Sequence, residues 1–144
     1  MPAVTITSPD IAAEGPNLDV QFLIPLQLEE QYKLKKIPHP SIIPVTALID
    51  TGASHSVIQE EIPKKLGLKP VGSVHINTPS SKDHFCYQYF MRMIMPSHQL
   101  VYQGVFTAAP LDGQKINCLI GRDMLADSIL IYIGYANQFT LTLS

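Results

Sequence analysis

The sequence predicts a mainly β domain that folds as a small closed barrel with one or two short helices. Twelve prolines and eight glycines interrupt the 144 residues often, which favours short strands over long helices. Apolar residues make up 46% of the chain and charged residues 15%, a composition that supports one hydrophobic core and argues against extended disorder. We therefore expect a single domain over residues 1–144, with residues 1–18 as the segment that could be loosely attached to it.

The first third of the chain is expected to supply two strands with irregular segments after each. They are an edge strand at 4–7, a polar bend at 8–17, a strand at 19–28 and a charged exposed loop at 29–40. Pro25 in the second strand implies an edge position or a bulge. Residues 44–49 are apolar on both alternating faces apart from Thr46, which is typical of a central strand.

The remaining two thirds continue as short strands with little helix. The strands are expected at 56–58, 71–77, 84–95, 100–108 and 116–120, a helix at 60–66, a helical turn at 122–126 and a final hairpin around 135–137. Gly67 is placed to close the helix at 60–66. Met91, Met93 and Met95 recur on one face of their strand, a pattern typical of core, or alternatively of an adaptable dimer or peptide-contacting surface.

An acidic residue ends the central strand. Residues 48–53 read Leu-Ile-Asp-Thr-Gly-Ala, and a carboxylate next to buried apolar residues is costly unless it is paired or protonated. Such a position often belongs to a carboxyl group with a chemical role. Gly52 lets an amide approach the Asp50 carboxylate closely, and Thr51 supplies a hydroxyl that can brace the turn. The alternative is a plain Asx-turn, in which Asp50 only caps its own loop.

Two segments carry a family resemblance. Asp-Thr-Gly-Ala-Ser-His-Ser-Val-Ile at 50–58 resembles the active-site loop of retropepsin-like (retroviral-type) aspartic proteases. Cys-Leu-Ile-Gly-Arg-Asp-Met-Leu at 118–125 is similar to the hydrophobic–hydrophobic–Gly element of that family and the short helix after it. The tail at 129–143 resembles the closing hairpin of the bacterial, non-viral branch. The two segments in this order are far more specific than either one alone.

The resemblance implies an aspartic endopeptidase that works as a homodimer, without a metal or another cofactor. In this family two aspartates share one proton and activate a water molecule. This chain has a single Asp-Thr-Gly, so a second copy related by a twofold axis would supply the other carboxylate. The expected catalytic residues are Asp50, Thr51 and Gly52. The polypeptide substrate is expected to lie across the seam between the subunits as an extended strand.

Five residues are expected to contact the substrate: Ala53, Ser54, Thr78, Pro79 and Ser80. The first two are small and leave room beside the acidic residue. The other three belong to the tip of a hairpin that lies where the family has its flap, and a polar tip with a proline suits a mobile lid. An ordinary surface hairpin is the alternative. Because Ala53 offers no hydroxyl to the carboxylate, we expect an activity optimum in mildly acidic conditions.

An internal similarity supports the same architecture. Residues 46–50 and 117–121 share a polar–small–Leu–Ile–turn pattern, which indicates two similar strand–turn units packed about an approximate twofold axis. Chance is the alternative explanation, since Leu-Ile pairs are common in so apolar a chain.

The surroundings of the two segments depart from the viral pattern. Arg122 lacks the acidic partner that viral relatives have after the active-site loop, because Ser54 stands at the matching position. Asp123 is one possible partner for Arg122, and solvation of the guanidinium is the other. His55 is either a substrate contact or a solvent-facing turn residue.

The histidines and cysteines do not predict a metal site. His75, His84 and Cys86 fit no closed four-ligand zinc spacing. Alternation places His84 and Cys86 on one strand face, where packing explains them. Two cysteines, Cys86 and Cys118, are too few for a disulfide framework and fit a reducing cytoplasm.

Composition also bears on partners and location. The net charge of −2 gives no electrostatic case for nucleic acid. No apolar stretch approaches the about 20 residues of a membrane helix, and no signal peptide is evident, so a cytoplasmic location is expected. Two alternatives to the protease remain: an inactive retropepsin-fold module for peptide binding or dimerisation, and a nucleotide-binding protein whose Asp-Thr-Gly-Ala-Ser turn grips phosphate. The latter fold needs a longer chain with more helix.

Overall fold

The computed structural model describes residues 2–78, 81–95, 100–111 and 115–143. This part of the chain forms ten strands and four α-helices. The strands are β1 (Ala3–Thr7), β2 (Asn17–Leu23), β3 (Ile43–Ile49), β4 (Val57–Gln59), β5 (Gly72–Thr78), β6 (Ser81–Met95), β7 (Leu100–Ala109), β8 (Cys118–Ile120), β9 (Ile129–Ile133) and β10 (Gln138–Thr142). The helices are α1 (Ile11–Glu14), α2 (Leu26–Leu34), α3 (Glu61–Lys65) and α4 (Arg122–Leu125).

Six strands close into a β-barrel. The hydrogen-bonded order is β2-β3-β8-β4-β7-β6, and pairing of β6 back onto β2 closes the ring. The prediction of a small closed barrel is therefore confirmed. Phe22 and Phe106 meet edge to face inside it, with ring centroids 5.0 Å apart. The three alternating methionines of β6 are also buried, so the prediction that they belong to the core is confirmed.

The centre of the barrel has an approximate internal twofold symmetry. β3 runs parallel to β8 and β4 runs parallel to β7, whereas β8 and β4 are antiparallel. The order β3-β8-β4-β7 thus reads the same from either end, which relates β3 to β7 and β4 to β8. The similar segments 46–50 and 117–121 are instead direct neighbours, because Ala47 pairs with Cys118 and Ile49 with Ile120.

Strands from the two ends of the chain form a second sheet in the order β1-β10-β9. All five residues of β1 pair with β10, and Val4, Ile11 and Leu18 are buried in the main core. Residues 2–18 are thus tied into the fold by pairing and by apolar contacts, which differs from the loose attachment considered for residues 1–18. The predicted bend at 8–17 contains α1, whose first turn is capped by Asp10 accepting a hydrogen bond from the Ala13 amide at 3.3 Å.

The helices are more numerous than the expected one or two. α3 lies where a helix was predicted and ends before Gly67, whose φ of +67° is a conformation that glycine adopts at little cost. α2 was missed: the predicted strand at 19–28 ends at Leu23, and the predicted loop begins inside the helix. Pro25 precedes the first helical residue, where its fixed φ and missing amide hydrogen are tolerated, so it marks neither a bulge nor an edge.

Across the described ranges, every helix is too short, or too polar, to serve as a membrane span.

Candidate active site

Asp50 lies directly beyond the C-terminal end of β3. Its amide donates to the Ile120 carbonyl at 2.9 Å, which extends the pairing of β3 with β8 by one residue. The preceding Ile49 is buried in the core, and the Asp50 side chain is half-buried. The acidic group is thus held on a rigid parallel strand pair and remains open to solvent.

One oxygen of the Asp50 carboxylate is fixed by its own loop. The Gly52 amide donates to Oδ1 of Asp50 at 2.9 Å, as an Asx-turn requires. A Cβ atom at Gly52 would lie 3.1 Å from that oxygen, so the close approach favours a residue without a side chain. Within the residues that the structure describes, no other hydrogen bond reaches this carboxylate, which leaves Oδ2 available to a water molecule or a second group.

Gly121 directly follows β8, the strand whose last residue accepts a hydrogen bond from the Asp50 amide. A Cβ atom there would lie 2.7 Å from the carbonyl carbon and oxygen of His55 and 2.9 Å from the Ala53 oxygen. The backbone of the Asp50 loop passes so close that only glycine fits. This contact explains the glycine that follows the two apolar residues of the second segment.

A serine and a second aspartate connect the two segments. Asp123 accepts hydrogen bonds from the Ser56 hydroxyl at 2.7 Å, from the Ser56 amide at 3.0 Å and from the Met124 amide at 2.7 Å. The Ser56 hydroxyl in turn accepts from the Gly121 amide at 3.0 Å. Ser56 is only 1% exposed, so these bonds satisfy groups that water does not reach. Sequence alone does not reveal this position of Ser56, because its partner Asp123 is 67 residues away.

Arg122 binds the Asp50 loop, and it does so through neither of the two expected arrangements. Its side chain donates from Nη1 to the Thr51 carbonyl at 2.7 Å, and its amide donates to the Ala53 carbonyl at 2.8 Å. Asp123 is therefore not its partner, and the guanidinium is not merely solvated. The Thr51 hydroxyl is exposed and bonds to none of the described residues, so the turn is braced through the Thr51 carbonyl.

The expected substrate contacts divide into two groups. Ala53 is half-buried and its amide donates to the Asp50 carbonyl at 3.1 Å. Ser54 is exposed, and its hydroxyl lies 3.2 Å from Nδ1 of His55, so the histidine ring has a partner within the loop. Thr78 is the last residue of β5 and pairs with Ser81. The expectations for Pro79 and Ser80 fall outside the described residues.

The β5–β6 hairpin extends from the barrel. Among the described residues, only the second part of β6 pairs with β7, and β5 pairs only with β6. One hairpin face carries Val74 and Ile76, which pack with Val57 and Leu119 in a small apolar cluster. The hairpin therefore shares an apolar cluster with residues of β4 and β8, the two strands that adjoin the Asp50 loop.

The candidate zinc residues do not converge. His75 lies opposite Phe85 and its Nδ1 is 3.2 Å from Asp83, whereas Cys86 lies on the other hairpin face and is buried. Burial raises the pKa of the Cys86 thiol above its usual value, which keeps the thiol neutral.

Comparisons with known proteins agree with this geometry. A family model described as "Aspartyl protease" matches residues 41–124, which include Asp50, Ser56 and Arg122. No curated protein matches the chain. The crystal structure of a retropepsin-like aspartic protease from Rickettsia conorii is similar, with a TM-score of 0.51 and 14% identity over 96% of this chain and 89% of that one. The fold is therefore retropepsin-like, and the chain belongs to the aspartyl protease family.

Proposed function

We propose that the protein is an aspartic endopeptidase, in which Asp50 and the Asp50 of a second copy together activate the water that hydrolyses a peptide bond. One observation carries the proposal: the Asp50 carboxylate stands at the end of a buried strand with Oδ1 held by Gly52 and without another bond from the described residues. The carboxylate is thus held in one orientation, and its second oxygen remains available for a reaction. The proposal assigns residues 1–144 to one catalytic domain.

The reaction requires a second carboxylate. One group must take a proton from water while the other donates a proton to the carbonyl oxygen of the substrate. In the described part of the chain, Asp123 is the other aspartate near the loop, and its carboxylate is occupied by Ser56 and Met124. A homodimer supplies the missing group, because a twofold axis brings the same residue of each copy together.

The proposed chemistry follows from two carboxylates about 3 Å apart that share one proton. The ionised carboxylate removes a proton from the water held between them, and the water oxygen attacks the carbonyl carbon. The protonated carboxylate donates to the carbonyl oxygen. As the tetrahedral intermediate collapses and the C–N bond breaks, the carboxyl group that took the water proton gives it to the leaving nitrogen, and the other carboxylate takes back a proton from a hydroxyl of the intermediate. The chain forms no covalent bond to the substrate.

The hairpin β5–β6 is the proposed flap. The apolar cluster that it shares with Val57 and Leu119 supports this role, since these residues belong to β4 and β8, the strands next to the Asp50 loop. An extended polypeptide lying between the hairpin and the loop would contact Ala53 and Ser54 on one side and Thr78, Pro79 and Ser80 on the other. Both cysteines are free, which supports action in a reducing compartment such as the cytoplasm.

The decisive experiment removes the acid and keeps its shape. Asp50→Asn should lower kcat by about 100- to 10,000-fold, because an amide can neither accept nor donate the proton. The matched control is Asp127→Asn, which changes an exposed aspartate beyond α4 and should leave cleavage unchanged. The measurement is cleavage of a peptide library between about pH 4 and about pH 7.

The same experiment separates the protease from the inactive module. A protease cleaves the library and is inhibited by a statine-type transition-state analogue. Cleavage that persists in Asp50→Asn would contradict the assignment of Asp50. Binding of library peptides without cleavage by the wild-type protein would favour the peptide-binding module.

A further inference from the structure

A recess lies between α2 and residues 67–71, next to Phe90 of β6. Its volume is about 540 Å³, within the range of about 300–1,000 Å³ that ligand pockets span. Both sides contribute apolar side chains, which are those of Leu28, Tyr32, Leu68 and Val71. We call this recess the α2 groove.

The α2 groove exposes apolar surface that the fold leaves uncovered. Leu28, Tyr32 and Leu68 pack against the core as well as lining the groove, and Val71 is 62% exposed. Two glutamines of α2, at 27 and 31, stand beside them, and within the described ranges neither side chain forms a hydrogen bond. The groove thus offers apolar contacts together with free amide groups, which are the contacts that a polypeptide segment can use.

Lysines cluster at the two sides of the groove. Residues 33–36 and 64–69 hold six of the ten basic residues of the chain, and the remainder has four basic residues against twelve acidic ones. Lys33 lies 3.6 Å from Glu29, and among the described residues no acidic group pairs with the other five lysines of these two segments. A chain that is otherwise acidic therefore carries a local positive surface at this place.

Two of these lysines belong to opposite sides of the groove. Lys69 lines it directly. Lys35 stands one helical turn beyond Gln31, and side chains four residues apart lie on the same side of a helix. No acidic residue occurs between 31 and 49 or between 62 and 82. A ligand that combines apolar and acidic groups is thus complementary to the groove, and a recess suits a polypeptide segment better than a flat membrane surface.

The α2 groove is continuous with the β5–β6 hairpin. The Val71 amide donates to the Gln88 carbonyl at 2.8 Å, and β5 begins at the next residue. A strand rises about 3.3 Å per residue, so the length of β5 separates the groove from Thr78 by roughly 20 Å. An extended polypeptide covers that distance with about six residues.

We infer that the α2 groove binds an acidic segment of the polypeptide substrate, about six or more residues away from the scissile bond. The inference rests on the proposed function, because it assigns the segment to the protein that the protease cleaves. Apolar side chains of the segment fill the recess, and its carboxylates pair with Lys35 and Lys69. These charge pairs select acidic sequences and speed their association.

A labelled peptide tests the groove without catalysis. The probe is dye-labelled Gly-Leu-Glu-Glu-Phe-Glu-Leu-Gly, and its binding to the Asp50→Asn protein is measured by fluorescence anisotropy at low salt. The counterpart with glutamine in place of each glutamate should bind about fivefold or more weakly, because it lacks the charge pairs. Added salt should weaken the acidic peptide and leave the glutamine peptide nearly unchanged.

Substitutions on the two sides of the argument locate the site. Lys69→Glu should weaken the acidic peptide about fivefold or more and strengthen a counterpart that carries lysine at the glutamate positions. The matched control is Lys115→Glu, which makes the same charge change at an exposed position before β8 and should alter neither affinity. Val71→Ser should weaken the acidic and glutamine peptides alike, since it removes an apolar contact. Circular dichroism checks the fold of each variant.

Cleavage tests the connection to the substrate. A peptide that the wild-type protein cleaves is joined to the acidic segment through a flexible linker of about six residues or more. The joined peptide should have a lower KM than the same peptide alone, with an unchanged kcat, because the added contacts are equal in the ground state and the transition state. Lys69→Glu, or a linker too short to reach the groove, should remove the difference.

The outcomes separate this inference from the proposed function. Binding of the acidic peptide to the Asp50→Asn protein without cleavage of any peptide by the wild type would sustain the acidic-segment site and contradict the protease. An active wild-type protein that binds the acidic and glutamine peptides equally, or whose Lys69→Glu variant keeps its affinity, would overturn the inference. Peptide binding that leaves the KM of the joined substrate unchanged would overturn the assignment to the substrate.

A membrane is the other partner that lysines and apolar groups could contact. Leu34, which is 84% exposed and lies outside the groove, is the side chain that a membrane would bury. Leu34→Ser should therefore leave the affinity for the acidic peptide within about twofold of its original value. Binding of phosphatidylserine vesicles that Leu34→Ser abolishes, without binding of the acidic peptide, would overturn the inference.

Discussion

The Asp50 loop depends on a few residues that do no chemistry. Asp123 gathers the amide and hydroxyl of Ser56, and that hydroxyl receives the Gly121 amide. This small network attaches the loop to the end of β8. It thereby supports the position of the Asp50 side chain at the start of the loop. Ser56 is a positioning residue in this arrangement.

Ser56→Ala should lower the free energy of unfolding by about 1–3 kcal/mol, because it leaves the buried Gly121 amide without an acceptor and takes one donor from Asp123. Urea denaturation measures the change. Ser54→Ala, two residues earlier and exposed, is the control and should change stability by less than about 0.5 kcal/mol. Equal effects of the two substitutions would contradict the role of the network.

Ala53→Ser should move the activity optimum to lower pH. A hydroxyl beside the Asp50 turn would donate to the ionised form of the proposed dyad and stabilise it. The wild-type protein, which lacks that hydroxyl, should therefore be most active in mildly acidic conditions. A pH–rate profile of the wild type that peaks in strongly acidic solution, or an optimum that Ala53→Ser leaves in place, would contradict this reasoning.

At the scale of single residues, local sequence showed some of the site and tertiary contacts supplied the rest. The Gly52 amide bond to Asp50 was foreseeable, because both partners belong to one short turn. The contacts of Arg122 with Thr51 and of Ser56 with Asp123 join segments about half the chain apart, and no local pattern specifies them. The Gly-Arg-Asp sequence at 121–123 was recognisable, but the groups that Arg122 and Asp123 bind were not.

Among the elements, α2 shows how one ion pair can attach a helix to a barrel. Arg92 of β6 is 8% exposed, donates from Nε to the Ile24 carbonyl at 3.2 Å and forms a short ion pair with Glu29. The hydrogen bond from Arg92 to the Glu29 carboxylate holds the pKa of Glu29 below its ordinary value of 4.5, despite the opposing effect of burial. The helix itself has no fully buried residue, so the ion pair is an important part of its attachment.

The ion pair predicts how stability depends on pH. Because the folded-state pKa of Glu29 is lowered, its contribution is complete above the unfolded value near 4.5 and is lost as the pH falls through the folded-state value. Glu29→Gln should cost on the order of 1 kcal/mol at neutral pH and show a weaker loss of stability in acid than the wild type. Glu30→Gln, at the adjacent exposed position, is the control. Urea denaturation at neutral and acidic pH gives the comparison, and parallel curves for all three proteins would contradict it.

The missed helix has a physical explanation. Leu26 and Leu28 continue the alternation of β2, so a strand was the simpler interpretation of residues 19–28. The helical signal was present but weak: Leu28 and Tyr32 are four residues apart and both pack on the core, and Glu29 and Lys33 form an i,i+4 pair at 3.6 Å. By contrast, α3 was recognisable because Gly67 closes it.

For the whole molecule, shared catalysis predicts a specific effect of mixing. If each dyad takes one Asp50 from each copy, adding an equal amount of Asp50→Asn protein to the wild type should lower total activity to about half, as subunits exchange at random. Independent monomers would keep full activity. The control adds the Asp50→Asn protein immediately before the measurement, so that subunits have no time to exchange, and should leave the wild-type activity unchanged.

The barrel was predictable as a class but its strand order was not. Alternation and turn residues located β3, β6, β7 and the final hairpin, because these signals are local. The parallel pairing of β3 with β8 and the closure of β6 onto β2 depend on contacts between distant segments. The similarity of residues 46–50 and 117–121 was visible, yet sequence alone could not show that the two segments pair with each other.

The position of Cys118 has a practical consequence. Its backbone pairs with β3 on one side, through Ala47, and with β4 on the other, through Ile58, and burial raises the pKa of its thiol far above the usual range. Because the Cys118 side chain is fully buried, a thiol-modifying reagent can reach this sulfur only after the packing around β8 has opened. The rate of Cys118 alkylation therefore measures how often the part of the barrel that holds Asp50 opens.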